Sequence, residues 1–143
     1  MIWGCASCVT FTSFYHDPDK AAAKAVIFAK EAFIDLNQPE AYGYLSKDVR
    51  SNLSFDQFIN VIAQMHPHKF PQVVEATEYE PVPGQKAVVI WLVGENASEK
   101  FDYRMVMVGT SGGYQVAAVV RVQQKTPSHL RKPLSVRLST NDF

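Results

Sequence analysis

KAVVIWLVGENASEKFDYRMVMVGTSGGYQVAAVVRV, residues 86–122, contains three runs rich in β-formers, KAVVIWLV, KFDYRMVMV and YQVAAVVRV, separated by GENASE and GTSGG. Branched and aromatic side chains suit a pleated, half-buried surface and the Gly-rich breaks suit tight turns, so the stretch reads as an antiparallel meander. Its register follows from its turns. A two-residue turn at Ser111 and Gly112 pairs Thr110 with Gly113. It sets Met107 opposite Val116, Met105 opposite Ala118 and Tyr103 opposite Val120, with Asp102 beside Arg121 as a favourable opposite-charge pair. A loop at 96–99 that pairs Glu95 with Lys100 sets Leu92 opposite Tyr103, Ile90 opposite Met105 and Trp91 against Arg104, a cation–π geometry.

On this register Val88, Ile90, Leu92, Tyr103, Met105 and Met107 share one face, which serves as the core face. Pairing Tyr79 with Val88 across the Pro83-Gly84 turn adds Glu75 and Tyr79 to it. The opposite face groups Val89, Trp91, Val106 and Val119 around Asp102, Arg104 and Arg121. Left bare, it would exceed the few hundred Å² of contiguous apolar surface usual for a monomer. The expected cover is a second copy of the chain, with Val89, Trp91, Arg104, Val106, Val119 and Arg121 as the homodimer interface. The alternative cover is the C-terminal tail folded back.

Outward from the meander, VVEATEY at 73–79 reads as a fourth strand and the chain before it as helical. Asp17-Pro18 is a helix start: Asp caps free N–H groups and Pro suits the first helical position. Ala22, Val26, Ala29, Phe33 and Leu36 recur at helical spacing, which predicts one amphipathic helix ending near Asn37. EAYGYL at 40–45 is a short helical piece, and Ser46 restarts the helix. Ser54 and Gln57 have capping-box spacing ahead of Phe55, Phe58, Ile59, Ile62 and Met65, so a second long helix is expected over 55–65. Helices followed by a meander imply an α+β fold, with N-terminal helices on the concave face of a curved four-stranded antiparallel sheet. The expected divisions are an arm (1–16), the main domain (17–124) and a tail (125–143) whose residues 134–138 alternate and would add an edge strand.

Composition narrows the partners. With 143 residues, 47% of them hydrophobic, and 14 Lys+Arg against 14 Asp+Glu, the chain is ordinary globular material without the basic excess of a nucleic-acid binder. No apolar run reaches the ~20 residues of a membrane span. Ile2-Trp3-Gly4-Cys5-Ala6-Ser7 resembles the end of a bacterial lipoprotein signal without its upstream apolar stretch. As given the chain reads as cytoplasmic; a missing upstream signal would make it periplasmic or lipid-anchored through Cys5.

AAAKAVIFAKEAFIDLNQPEAYGYLSKDVRSN at 21–52, SFDQFINVIAQM at 54–65 and the terminal meander together resemble the nuclear transport factor 2-like superfamily, the cystatin-like cone fold. The resemblance spans about 17–124 and rests on the order of its motifs. It implies a cone-shaped pocket and frequent dimerisation, and no single activity, since its members include isomerases, dehydratases, cyclases and binding modules. Enzymes of the family place an Asp/His or Asp/Tyr set in the cone. Here Asp102 faces outward on the expected register, which departs from that pattern.

Glu75 and Tyr79 are therefore the catalytic candidates, a general base and a hydrogen-bond donor for proton transfer beside a carbonyl. Tyr79, Tyr103, Met105, Met107 and Tyr42 are the candidate lining of a pocket for a small apolar ligand. Cys5-Ala6-Ser7-Cys8 lacks the strand–helix context of a redox motif, and with His66 and His68 it matches no zinc spacing. No metal or cofactor is expected. His66 and His68 read as loop histidines ending a helix. The preferred function is a non-catalytic small-molecule-binding or protein-interaction module; the alternatives are a small-molecule isomerase or dehydratase and a lipoprotein accessory domain.

Overall fold

Asp17 opens the first helix as expected: its carboxylate accepts the Lys20 N–H at 3.1 Å, with Pro18 in the first turn. The computed structural model describes residues 15–143. Helix α1 (Pro18–Ala29) buries Ala21, Ala22, Ala25, Val26, Phe28 and Ala29. Four alanines on this face let the helix lie close to the sheet, and it touches all five strands. The sequence predicts an unbroken helix to Asn37. Instead the chain widens into a π-helical turn (Lys30–Ile34), in which the Asp35 N–H reaches the Lys30 carbonyl at 2.8 Å. The wider turn swings Phe33 inward, and Leu36 ends it with a positive φ of 54°.

Helices α2 (Gln38–Gly43), α3 (Lys47–Asn52) and α4 (Phe55–Gln64) follow. Ser46 caps α3, and the Ser54–Gln57 capping box is present in full on α4. Phe58 and Ile62 are the buried stripe of α4.

The fold is α+β, with the N-terminal helices preceding a curved antiparallel sheet of five strands where the sequence reading counted four. The strands are β1 (Val73–Pro81), β2 (Ala87–Glu95), β3 (Lys100–Thr110), β4 (Gly113–Val122) and β5 (Lys132–Ser139), in the order β4-β3-β2-β1-β5. The fifth comes from the alternating segment of the C-terminal tail. It pairs antiparallel with β1 and sends Leu134 into the core.

Register follows the turns where strands are regular and departs from them at bulges. Between β2 and β3 the expected pairs all occur: Glu95 with Lys100, Leu92 with Tyr103, Trp91 with Arg104 and Ile90 with Met105. Between β3 and β4, Thr110–Gly113 and Met107–Val116 also occur. Gly109 serves this hairpin with a φ of 132°, and a Cβ there would sit 2.0 Å from the Gly113 carbonyl oxygen, so no other residue fits. A bulge beside Val106 then shifts the register, and Met105 faces Val119, Tyr103 faces Arg121 and Asp102 faces Val122. The expected Asp102–Arg121 pair does not form. One extra residue in a strand turns every later side chain to the other face, so Val119 and Arg121 lie on the helix side.

A second bulge lies in β1. Between Ala76 and Glu78 the chain takes an extra residue against β2, so Tyr79 pairs with Ile90 rather than Val88, and Glu75 pairs with Val93 on the outer face. The fully buried residues on the inner face of β1 are Val74 and Ala76.

Candidate functional site

Between the helices and the inner face of the sheet, the buried side chains His66 and Tyr103 bring polar groups together. His66 follows α4 in phase with Phe58 and Ile62, so the helix that buries those residues also buries the imidazole, which is 5% exposed. Its Nδ1 lies 2.7 Å from the Ile62 carbonyl and its Nε2 lies 2.7 Å from the Tyr103 hydroxyl. A carbonyl can only accept, so Nδ1 carries the proton, Nε2 is the acceptor and the phenol donates to it. Burial pushes the His66 imidazole below its ordinary range; the charge of Arg121 adds to this and the bond to Ile62 opposes it. Burial likewise pushes the Tyr103 phenol far above its ordinary range. The pair is neutral, and each of its polar atoms has a partner.

Rings enclose it. Phe33, delivered by the π turn, stacks on Tyr103 at a centroid distance of 4.9 Å, and Phe70 stacks on His66 at 4.5 Å. Phe101 lies parallel to Tyr103 at 6.0 Å. Arg121 closes the end of this stack, with its guanidinium 4.2 Å from the centre of the Phe101 ring. That guanidinium donates to the Met65 carbonyl at 3.1 Å and to the Glu99 carboxylate at 2.7 Å. A cation at the last carbonyls of α4 is favourable for the helix dipole. The β4 bulge thus converts an expected surface charge into the cap of this aromatic stack.

Of the expected pocket residues, Tyr103, Met105 and Met107 stand together but have no solvent-accessible surface; they are packed core. Tyr42 is elsewhere. Its hydroxyl donates to the Leu53 carbonyl at 2.6 Å and its ring packs on Phe55 and Phe58, which ties α2 to α4. Tyr79 is half-buried against the core near β5.

Glu75 and Tyr79 do not meet. The β1 bulge puts them on opposite faces, and the Glu75 carboxylate pairs with Arg137 at 3.0 Å on the outer side. The enzyme reading loses its base by this displacement, because a general base must come within hydrogen-bond reach of the proton it takes.

The outer face is covered by the chain itself. The crossover between β4 and β5 lays Arg131 over the Trp91 ring at 4.2 Å and brings the Lys125 ammonium within 5.3 Å of it. Lys125 pairs with Glu78, and Arg131 Nε stands 3.8 Å from Glu80. Trp91 is 5% exposed and Val89 is buried. The surface argument for a second copy at Val89 and Trp91 is therefore gone, and Val119 and Arg121 are on the other face. Arg104 and Val106 remain half-buried on the outer side.

The sequence reading took His66 as a loop histidine ending a helix, put Arg121 on the outer face as an interface residue and did not single out Glu99. The signal for His66 was the spacing Phe58, Ile62, His66, which continues the apolar stripe of α4 by one turn. No sequence signal marked Arg121, because a bulge decides its side. Cys5 and Cys8, with the arm they sit in, lie outside the described residues. Among the described residues, no group of three or more His, Cys, Asp or Glu side chains could hold a metal, and no helix is long and apolar enough to cross a membrane. Comparison of the chain with protein-family models, with curated proteins and with solved structures finds no match in any of the three.

Proposed function

We propose that this chain is a non-catalytic protein-interaction module of the nuclear transport factor 2-like type, whose cone is filled by its own side chains and whose partners meet its surface. The observation that carries this is the closed His66–Tyr103 pair. Both ring nitrogens and the phenol are satisfied within the chain, and Tyr103, Met105 and Met107 have no exposed surface. A pocket that bound a small molecule would instead present a few unsatisfied polar groups to an open apolar volume. The order of helices and meander, with a fifth strand added at the β1 edge, supports the family reading.

Native mass spectrometry of the purified chain, with a thermal-shift screen of hydrophobic ketones and fatty acids, tests this. The expected result is the mass of the polypeptide alone and an unchanged melting temperature with every compound. A bound small molecule that disappears in a Tyr103→Phe variant would overturn the reading.

A further inference from the structure

The two edges of the sheet are built differently. At β5 the edge carries Lys132, Pro133, Ser135 and Arg137, all exposed, and charge and proline are the usual devices that stop an edge strand from pairing again. The β4 edge has two halves. Its first half is covered by the link between α2 and α3: the Ser46 N–H reaches the Val116 carbonyl at 2.8 Å and the Val116 N–H reaches the Tyr44 carbonyl at 2.9 Å. Beyond Val116 the bulge shifts the phase by one residue, so Val119 and Arg121 turn their N–H and C=O groups away from β3. Among the described residues no backbone group meets them on that side.

Beside this open half runs a slot of about 660 Å³, with Val61, Gln64 and Met65 of the α4 region on one wall and Val119, Val120 and Arg121 on the other. Val61 and Val119 also line a neighbouring hollow of about 160 Å³, with Leu45, Leu53 and Phe58, whose lining is almost wholly apolar. Val120, on the outer side of the β4 edge, is 45% exposed and Val61 of α4 is 37% exposed, and both border the slot. The charges in the slot cancel. Arg121 is neutralised by Glu99, and Lys100 and Asp102 are of opposite sign.

We propose that this slot, along residues 117–123, binds an extended, uncharged peptide strand of a partner protein, which adds to the β4 edge and seats one apolar side chain in the hollow. The inference rests on reading the chain as an interaction module and names its partner chemistry. Backbone bonds to Val119 and Arg121 supply affinity, and the hollow supplies side-chain choice, as in other strand-addition sites. The neutral lining selects against charge at the centre of the strand.

The test is selection of a phage-displayed random heptapeptide library on the immobilised full chain, followed by affinity and amide-exchange measurements with the selected peptides. Enriched sequences should alternate apolar residues and lack charge at their centre. They should slow exchange at the Val119 and Arg121 amides, and lose about tenfold or more in affinity for Val119→Pro and Val120→Lys. Val119→Pro removes an outward N–H that proline tolerates at an edge; if that variant fails to fold, Val120→Lys carries the comparison. No enrichment over an uncoated surface, or enriched peptides that bind both variants as well as the parent, would overturn the proposal. So would light scattering that shows a dimer abolished by Val120→Lys, since the occupant would then be a second copy. None of these failures opens the cone, so they leave the mass and melting-temperature test of the interaction reading independent.

Discussion

At the scale of the residue, His66 shows how a polar group is placed in an apolar core. Its two bonds, to the Ile62 carbonyl and the Tyr103 hydroxyl, replace the water it gives up, and burial lowers its pKa. A base whose folded pKa is depressed binds fewer protons in the native state than in the unfolded chain. Stability is therefore full above the ordinary histidine value of 6.5 and falls as pH drops below it, until the folded group itself protonates. Urea unfolding at a series of pH values should show this loss, at most about 1.4 kcal/mol per pH unit for one proton, and His66→Gln should lack that part of the slope. An unchanged slope in the variant would mean that other groups carry the acid sensitivity. The apolar stripe of α4 carried a signal for the burial of His66 that its reading as a loop histidine passed over; its partner had none, because Tyr103 is 37 residues away in the chain and comes to it through the packing of α4 on the sheet.

At the scale of the element, the crossover between β4 and β5 acts as a strap. It exchanges an exposed tryptophan for cation–π contacts with Arg131 and Lys125, and ties each cation to a glutamate of β1, Glu80 and Glu78. Arg131 also covers the ring with its aliphatic stem, so its loss removes packing as well as charge. In a Trp3→Phe background, where Trp91 is the sole tryptophan, Arg131→Ala should raise acrylamide quenching and cost about 0.5–1 kcal/mol in urea unfolding. Quenching equal to that of the parent would show that the strap does not shield the ring in solution. From sequence, the face of β2 that carries Trp91 was evident by alternation and the need to cover it followed from its area. Which segment covers it depended on where the tail travels, because Lys125 and Arg131 lie in the irregular stretch between β4 and β5, where no periodicity fixes a side chain's direction.

At the scale of the whole molecule, the C-terminal strand shares one core with the first helix. Leu134 of β5 packs in the same cluster as Ala21 and Ala22 of α1, and the Ser135 hydroxyl lies 3.2 Å from the Asp19 carboxylate. Because a carboxylate accepts, the Ser135 hydroxyl is the donor. Leu134→Ala should cost about 2–3 kcal/mol, read from the urea midpoint with an unchanged slope, because the cavity forms between α1 and the sheet. A cost within a few tenths of a kcal/mol would mean that β5 is peripheral to the cooperative unit.

Local chemistry determined the helix starts at Asp17, Ser46 and Ser54, the hairpin at Ser111-Gly112 and the β2–β3 register, since caps, turns and alternation act between residues a few positions apart. The two bulges, at Thr77 and beside Val106, were decided by the tertiary structure. Each costs the ladder a local irregularity that only packing across the whole sheet can offset, so no neighbouring residue announces it. Those two extra residues move Glu75 away from Tyr79, turn Arg121 into the cap of the aromatic stack and leave the second half of β4 unpaired among the described residues.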